Sequence, residues 1–262
     1  MIPIITSTSN PKIKWVKSLQ KNSTRKDEGV FVVEGAKEVG FAVDNEFLLH
    51  SIFVCPDIYG QVPSFGDNIE IYSINKNCYE KIAYRGSTDG IIAVFHNKIK
   101  KLDDLTMGET PFFIVVESIE KPGNLGAIIR TADGAGADGV IVCDEKVDIY
   151  NPNVIRASVG TVFSTQVVST DVKSLLDFLN KHEITSYGAI LSDNSTKYSE
   201  SDFTKPTAII LGDEHKGLSS IWHNNSEPIQ IPMLGSNDSL NVSNAAAILA
   251  YEVIRQRKST SE

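Results

Sequence analysis

The chain has 262 residues, of which 41% are hydrophobic and 22% are charged, and its formal net charge is −8 at pH 7. This composition is typical of a globular protein with one large core or two smaller ones, and it excludes a disordered chain and a generally basic nucleic-acid coat. No apolar run approaches the roughly 20 residues that span a bilayer, and the N-terminus lacks the layout of a secretory signal. We therefore expect a cytoplasmic protein with no membrane segment.

The cysteines predict no metal site. Cys55, Cys78 and Cys143 lie far apart in sequence and form no CxxC pair or cluster with histidines. Such a distribution favours buried, reduced thiols.

An amphipathic helix is predicted near the N-terminus. Asn10 is a good N-cap residue, a proline follows it, and Ile13, Val16 and Leu19 then recur on one helical face. Residues 1–30 carry six basic and two acidic side chains in an otherwise acidic chain. A lysine-rich face often only keeps a surface helix solvated, but this segregation of charge also favours contact with RNA phosphates. The candidate RNA-binding residues of this segment are Lys12, Lys14, Lys17, Lys21, Arg25 and Lys26.

A small α/β domain is predicted over residues 1–96. Its strand-like runs alternate with a helix-like stretch that follows Gly35. The polar residues 97–110 have no sustained period and are predicted to be a linker. The strand-like runs are residues 30–33, 51–55 and 90–95.

Residues 111–262 are predicted to form a second α/β domain, because apolar runs alternate with helical patterns. This alternation indicates a mostly parallel sheet with helices on both faces and a ligand site at the carboxyl ends of the strands. The apolar runs are residues 112–116, 139–143, 187–191, 208–211 and 228–231, and the helical stretches are residues 124–135, 171–181 and 242–256.

One glycine pattern argues against a dinucleotide site rather than for it. Gly134, Gly136 and Gly139 match GxGxxG, but the pattern follows a helix and precedes a strand, which reverses the dinucleotide fingerprint. Gly136 is better explained as the residue that ends the helix. Nicotinamide binding is therefore rejected, and the HExxH, GxSxG and P-loop patterns are also missing from the sequence.

Polar residues follow three of the predicted strands. Asn124 can cap the helix after the first of them, and Arg130 lies six positions further along among apolar neighbours, where it either reaches solvent or grips a phosphate. Glu214 lies in a glycine-bounded loop, where an ordinary solvated carboxylate is the simpler interpretation. Ser239 and Asn241 belong to a third polar loop that holds more hydroxyl and amide groups than one helix cap requires.

Together these stretches resemble the motifs of the SpoU (TrmH-like) family of RNA 2′-O-ribose methyltransferases, within the SPOUT superfamily. The resemblance covers roughly residues 111–257, and the first domain is similar to a ribosomal-protein-L30e-like substrate-binding module. Many relatives have Asn-Glu-Gly where this chain has Asp213-Glu214-His215. The motifs are Asn124…Arg130, Leu211-Gly-x-Glu214, Ile231-Pro-Met and Ser239-Leu-Asn241-Val-Ser243, with Val154-Ile-Arg-Ala-Ser158-Val-Gly160 as a further segment.

The resemblance implies a SPOUT domain with a deep trefoil knot, S-adenosylmethionine as cofactor, no metal and a homodimer. It also implies cofactor contacts by a first set of residues and a reaction centre lined by a second set. The first set is Leu211, Gly212, Gly217, Ile231, Met233 and Leu240. The second set is Asn124, Arg130, Glu214, Ser239 and Asn241. Arg156 is expected to join the basic residues of the first domain in contacting RNA.

The implied activity is methyl transfer to a ribose 2′-hydroxyl of structured RNA, and the added N-terminal domain favours 23S ribosomal RNA. A transfer RNA enzyme and a non-catalytic RNA-binding or assembly protein are the alternatives. In the family the motif-one arginine is proposed to activate the 2′-hydroxyl, yet guanidinium groups stay protonated in proteins. Arg130 is therefore either a base made possible by substrate phosphate and burial, or a cation that holds phosphate and stabilises the emerging alkoxide.

Overall fold

The computed structural model describes residues 4–60, 69–84, 89–192, 194–213 and 216–259. The chain divides into two compact units. The first comprises Met1–Lys98 and Tyr150–Ser164, and the second comprises Ile99–Ile149 and Thr165–Glu262. The segment Tyr150–Ser164 therefore folds with the first unit, although its sequence lies between strands of the second.

The first unit contains a five-stranded mixed sheet with the order β1-β4-β3-β5-β2. The strands β2 and β3 both pair antiparallel with β5, whereas β4 pairs parallel with β1 and β3. Its strands are β1 (Ile4–Ile5), β2 (Val30–Glu34), β3 (Leu49–Val54), β4 (Glu70–Ile74) and β5 (Ile91–His96). Its first helices are α1 (Pro11–Ser18), α2 (Asn22–Glu28), α3 (Ala36–Asp44), α4 (Pro56–Tyr59) and α5 (Lys76–Ile82).

The predicted amphipathic helix is α1. The Asn10 side chain accepts a hydrogen bond from the Lys12 backbone N–H at 2.9 Å, which satisfies one of the free donors at the helix start. Ile13, Val16 and Leu19 are buried in the core of the unit. The sequence thus predicted both the start of this helix and the face that it buries.

The second unit is built on a seven-stranded sheet with the order β10-β12-β9-β11-β6-β7-β8, and every neighbouring pair is parallel. The mostly parallel sheet expected from the sequence is confirmed, although the sequence pattern missed β8 and the short β10. The strands are β6 (Phe112–Glu117), β7 (Gly139–Cys143), β8 (Val167–Thr170), β9 (Thr185–Ala189), β10 (Thr196–Lys197), β11 (Thr207–Leu211) and β12 (Glu227–Gln230). The helices are α6 (Pro122–Ala135), α7 (Pro152–Ala157, in the first unit), α8 (Val172–Lys181), α9 (Ser220–Asn225) and α10 (Val242–Ser259).

Helices cover both faces of this sheet. On one face, α8 and α9 bury Phe178 and Trp222 against a cluster that includes Phe113 and Ile210. The helices α6 and α10 pack against each other, and α6 contacts β7 whereas α10 contacts β11. The trefoil knot implied by the family resemblance stays a prediction.

Gly136 ends α6 as expected. Its φ of +63° lies in the left-handed region, and its backbone N–H donates to Ala132 and Asp133. The chain then enters β7 at Gly139, where an added Cβ would come within 2.9 Å of the Gln166 carbonyl oxygen. Helix termination and close backbone packing thus account for Gly136 and Gly139, two of the three glycines that mimic a dinucleotide motif.

The cysteines are buried and unpaired, as predicted. Burial raises the pKa of the Cys143 thiol to about 12. Within the described ranges, no group of His, Cys, Asp and Glu side chains is arranged to hold a metal ion. Among the same residues, no helix has the length and hydropathy needed to cross a membrane.

Candidate active site

A cavity of about 550 Å³ lies at the carboxyl ends of β9, β11 and β12. This is where a parallel sheet is expected to bind its ligand. All the residues predicted to bind the cofactor line this cavity. They are Leu211, Gly212, Gly217, Ile231, Met233 and Leu240.

The loop after β11 folds back on itself and forms one wall of the cavity. The backbone N–H of Asp213 donates to the Gly217 carbonyl at 3.2 Å, and the N–H of Gly217 donates to the Asp213 carbonyl at 3.0 Å. The Asp213 side chain also accepts a hydrogen bond from the Lys216 backbone N–H at 2.9 Å. An added Cβ at Gly212 would lie 2.3 Å from the Gly217 carbonyl carbon, so this close approach requires glycine.

This geometry gives Asp213 a local role. Its side-chain oxygen stabilises the turn that carries Lys216 and Gly217 into the cavity wall. An asparagine at this position would offer the same acceptor oxygen. Glu214, predicted to line the reaction centre, and His215 lie outside the described residues.

Two predicted site residues from distant motifs meet through their side chains. The Asn241 Nδ2 donates to the Asn124 Oδ1 at 3.2 Å. Asn241 lies between Leu240 and Val242, which both line the cavity. Its Oδ1 accepts from the backbone N–H of Ser243 at 2.9 Å, which fixes the amide at the start of α10.

The capping interpretation of Asn124 is wrong. The N-cap of α6 is Lys121, and Pro122 occupies the first helical position, so Asn124 already lies inside the first turn. Its side chain instead contacts Asn241. The contact between the first and third motifs thus involves a residue that the helix start does not need as a cap.

The remaining predicted reaction-centre residues are placed differently. Ser239 lines the cavity and is exposed. Arg130 is also exposed, but it does not line the cavity and has no hydrogen-bond or ion-pair partner among the described residues. Six helical residues turn the chain by about 600°, so Arg130 and Asn124 point about 120° apart on α6. The two side chains therefore leave the helix in different directions.

The candidate RNA-binding residues all belong to the first unit, including Arg156 on α7. Lys12, Lys14, Lys21, Lys26 and Arg156 are exposed, and Lys17 is half-buried. Lys12 already contacts the Glu70 carboxylate at 3.2 Å and lies over the Tyr72 ring. Its pKa is raised, chiefly by the hydrogen bond with Tyr72.

The prediction that Arg25 contacts RNA is wrong. Its side chain is 1% exposed, and its Nη1 donates to the Leu19 carbonyl at 2.8 Å. The guanidinium therefore stabilises the turn between α1 and α2 and is not available to a phosphate. A charge count along the sequence gives no indication of this burial.

Several cavity residues were missed by the sequence reasoning. Lys216, Gln230 and Asp238 lie within or beside the recognised motifs, so their positions in the sequence could have identified them as cavity residues. His223 lies on α9, where the sequence offers no signal for a ligand site. Glu117, the last residue of β6, does not line the cavity and was assigned no role from the sequence, yet it is a buried carboxylate.

The chain matches the models of two known protein families, one for each part of the sequence. The model of the SpoU rRNA Methylase family matches residues 111–251, which is more than half of the chain. The chain belongs to this family. The model of the MRM3-like substrate binding domain matches residues 10–93. The family and the RNA methyltransferase class expected from the sequence are thus confirmed.

Relatives match along nearly the whole chain. A Bacillus subtilis protein named 23S rRNA (guanosine(2553)-2′-O)-methyltransferase RlmP is 29% identical, with 95% of this chain and 98% of the relative covered. A Streptomyces viridochromogenes 23S rRNA (uridine(2479)-2′-O)-methyltransferase is 27% identical, with 97% and 92% covered. Both domains of this chain therefore have counterparts in single relatives.

The solved structures agree in fold. The AdoMet-bound rRNA methyltransferase of Sinorhizobium meliloti has a TM-score of 0.88 and 25% identity, with 97% of this chain and 98% of that chain covered. The SpoU methyltransferase AviRb of Streptomyces viridochromogenes, in complex with AdoMet, has a TM-score of 0.86 and 26% identity, with 95% and 99% covered. The α/β architecture of both units is thereby confirmed.

Proposed function

We propose that the protein transfers a methyl group from S-adenosylmethionine to a ribose 2′-hydroxyl of 23S ribosomal RNA. The observation that carries this proposal is the Asn124–Asn241 hydrogen bond, which joins the first and third motifs next to the cavity at the strand ends. The names of the relatives that match along the whole chain support ribosomal RNA as the substrate.

The cavity suits S-adenosylmethionine in size and chemistry. Its volume of about 550 Å³ is in the ordinary range for small-ligand sites. Leu211, Ile231 and Leu240 supply apolar walls for an adenosyl group, and the backbone of the loop at Gly212 and Gly217 supplies polar groups. When bound, this cofactor supplies an electrophilic methyl group on a sulfonium.

The protein's own residues orient the ribose. The Asn241 Nδ2 carries a second hydrogen beyond the one donated to Asn124, and the exposed Ser239 hydroxyl lies two residues away. These groups would hold the ribose 2′-hydroxyl in place beside the cofactor cavity. Fixing two reactants in this way removes much of the entropic part of the barrier.

Arg130 acts on the substrate as a cation. Its guanidinium holds an RNA phosphate and stabilises the negative charge that develops on the ribose oxygen as the hydroxyl proton passes to solvent water. A protonated guanidinium is suited to this role and poorly suited to that of a base.

The functional unit is a homodimer. Arg130 is exposed and does not line the cavity of its own chain, so a second copy brings it to the reaction centre. A closed dimer with twofold symmetry would place one such arginine at each of two sites.

The first unit binds RNA. Its exposed basic residues, such as Lys14, Lys21 and Arg156, contact phosphates, which carry no base identity and therefore position rather than select the substrate. The match to an MRM3-like substrate binding domain supports this role. Action on ribosomal RNA places the protein in the cytoplasm.

Mapping of 2′-O-methyl groups by mass spectrometry in a deletion strain tests the proposal. We expect one methyl group to disappear from 23S ribosomal RNA and to return with the wild-type gene but not with Asn241→Ala. Loss from transfer RNA alone would overturn the choice of substrate. An unchanged methylation map would support the non-catalytic alternative instead.

A further inference from the structure

The loop from Gly212 to Leu218, which follows β11 and is called the cavity loop below, is held at its C-terminal end by a carboxylate of β6. Glu117, the last residue of β6, is 4% exposed. Its Oε2 accepts from the Ser219 backbone N–H at 2.8 Å, and its Oε1 accepts from the Ser219 hydroxyl at 2.7 Å. The Trp222 indole N–H also donates to Oε1, at 3.2 Å.

Both sides of this contact are built into the core of the second unit. The strand β6 lies inside the sheet between β11 and β7, and Glu117 pairs with Cys143. Trp222 is fully buried in the core formed with α8. The contact therefore spans about one hundred residues of sequence and joins two fixed parts of the fold.

Burial of a carboxylate costs free energy unless hydrogen bonds replace its hydration. All the donors described for Glu117 are neutral, so no cation offsets the cost directly. An apolar side chain would fill the same place without this cost, but it would not fix Ser219. Ser219 immediately follows Gly217 and Leu218, which line the cavity.

We propose that Glu117 is a positioning residue that fixes the C-terminal end of the cavity loop and so holds the backbone of Gly217 and Leu218 in place for S-adenosylmethionine. This inference rests on the proposed use of the cavity as the cofactor site. Glu117 itself does not line the cavity, so it acts through Ser219 and Trp222.

Glu117→Gln tests this role at constant shape. A backbone N–H and an indole N–H can only donate, and in the wild type they reach different oxygens of Glu117. A glutamine amide has one oxygen, so one of these donors must face the NH₂ group. We expect the affinity for S-adenosylmethionine, measured by calorimetry on the full chain, to fall by about tenfold or more, equivalent to about 1.4 kcal/mol.

Asp138→Asn is the matched control. Asp138 accepts from the backbone N–H groups of Gly108 at 2.8 Å and Phe112 at 2.7 Å, at the opposite end of β6. Each substitution replaces a carboxylate that accepts a backbone hydrogen bond at one end of β6, but only Glu117→Gln acts on the cavity loop. We expect the control to lower the melting temperature and to leave cofactor affinity within about twofold of wild type.

A kinetic and a spectroscopic measurement separate positioning from general destabilisation. At saturating RNA, Glu117→Gln should raise KM for S-adenosylmethionine much more than it lowers kcat. The chain has two tryptophans, so in a Trp15→Phe background fluorescence reports on Trp222 alone. The emission of Trp222 should then change with Glu117→Gln and not with Asp138→Asn.

Ser219→Ala and Trp222→Phe keep the proposal testable if Glu117→Gln does not fold. Each removes one donor and keeps the carboxylate, and each should weaken cofactor binding by a smaller factor. Normal cofactor affinity in Glu117→Gln, or in both donor variants, would overturn the proposal. Failure of the wild-type protein to bind S-adenosylmethionine would instead overturn the proposed function of the cavity.

Discussion

The two ends of the parallel sheet in the second unit use their polar side chains differently. At the amino end, Arg257 donates to the backbone carbonyls of Phe203, Thr110, Pro111 and Lys205 at 2.7 to 3.3 Å. At the carboxyl end, Ser239 and Asn241 are exposed beside a cavity. The Arg257 guanidinium at the amino end is thus occupied by backbone carbonyls, whereas the Ser239 and Asn241 side chains at the carboxyl end remain accessible.

This difference teaches where to look for function. A parallel sheet brings the loops that leave its strands to one edge, so that edge can collect side chains from distant motifs. The opposite edge must join the strands to their preceding segments, and hydrogen bonds to backbone carbonyls serve that purpose. Substitutions at the carboxyl end should change activity, and those at the amino end should change stability.

The largest expected effect is that of Arg130→Ala. Loss of a cation that stabilises developing negative charge should lower turnover by about 10² to 10³-fold. Because Arg130 does not line the cavity, the affinity for S-adenosylmethionine should stay close to that of wild type. A methyl-transfer assay and calorimetry measure the two quantities separately. Unchanged turnover would remove Arg130 from the mechanism.

A mixing experiment sharpens this prediction. Arg130→Ala and Asn241→Ala proteins are each expected to be inactive, but a mixed dimer contains one site with both wild-type residues if Arg130 acts across the dimer. Activity should then reappear on mixing, after dissociation and reassociation of the subunits. If Arg130 acts within its own chain, each protomer of the mixed dimer is defective and mixing restores nothing.

Gly212→Ala should have the next largest effect. An added Cβ would lie 2.3 to 2.5 Å from the backbone of Gly217 and Leu218, so the cavity loop must move. We expect about a tenfold loss of affinity for S-adenosylmethionine, measured by calorimetry. Gly40→Ala is the control, because nothing lies within 4 Å of its added Cβ on α3. Equal affinities in the two variants would show that the loop tolerates the change.

The sequence predicted the architecture better than the contacts. Strand and helix periods gave the parallel sheet, because the alternation of apolar runs and helical faces is a local property. The family motifs placed Gly212, Ile231 and Leu240 along one cavity. The packing of Tyr150–Ser164 in the first unit depends on long-range contacts, such as the stacking of Tyr150 on Phe31, that no local pattern encodes.

Buried charged groups were the hardest to predict. Arg25 and Glu117 look like ordinary surface residues in sequence, and the structure buries both against hydrogen-bond partners. The partners of Glu117 lie more than one hundred residues away. Burial of a charged residue depends on such distant partners, so composition and period give no indication of it.

Arg257→Ala tests the amino end of the sheet. The substitution leaves four backbone carbonyls without this donor, and we expect the free energy of unfolding to fall by about 2 kcal/mol. Urea denaturation measures the loss, and the affinity for S-adenosylmethionine should not change. The exposed neighbour Lys258 offers a control, Lys258→Ala, with little effect on either quantity. Weakened cofactor binding at unchanged stability would contradict the division between the two ends.

The smallest effect is expected for Asp171. A substitution there tests whether the role of a residue depends on its position in the sheet or on the hydrogen bonds that its side chain already makes. Asp171 follows β8 at the carboxyl end of the sheet, but its side chain accepts from the Ser174 backbone N–H at 2.9 Å and from the Ser174 hydroxyl at 2.6 Å. The hydroxyl contact, followed by the backbone contact, lowers the pKa of this carboxyl group.

A lowered pKa in the folded state means that the ionised cap stabilises the protein above the carboxyl group's unfolded pKa of about 4 and loses this contribution as the pH falls below it. Asp171→Asn should therefore lower the melting temperature slightly at pH 7, and the difference from wild type should shrink as the pH falls below about 4. Ser174→Ala should act in the same direction. Turnover and cofactor affinity at pH 7 should stay unchanged, because the hydrogen bonds of Asp171 are made within α8. A difference in melting temperature that does not vary with pH, or a loss of turnover, would contradict this prediction. It would mean that hydrogen bonds within the chain do not distinguish structural from functional residues at the carboxyl end of the sheet.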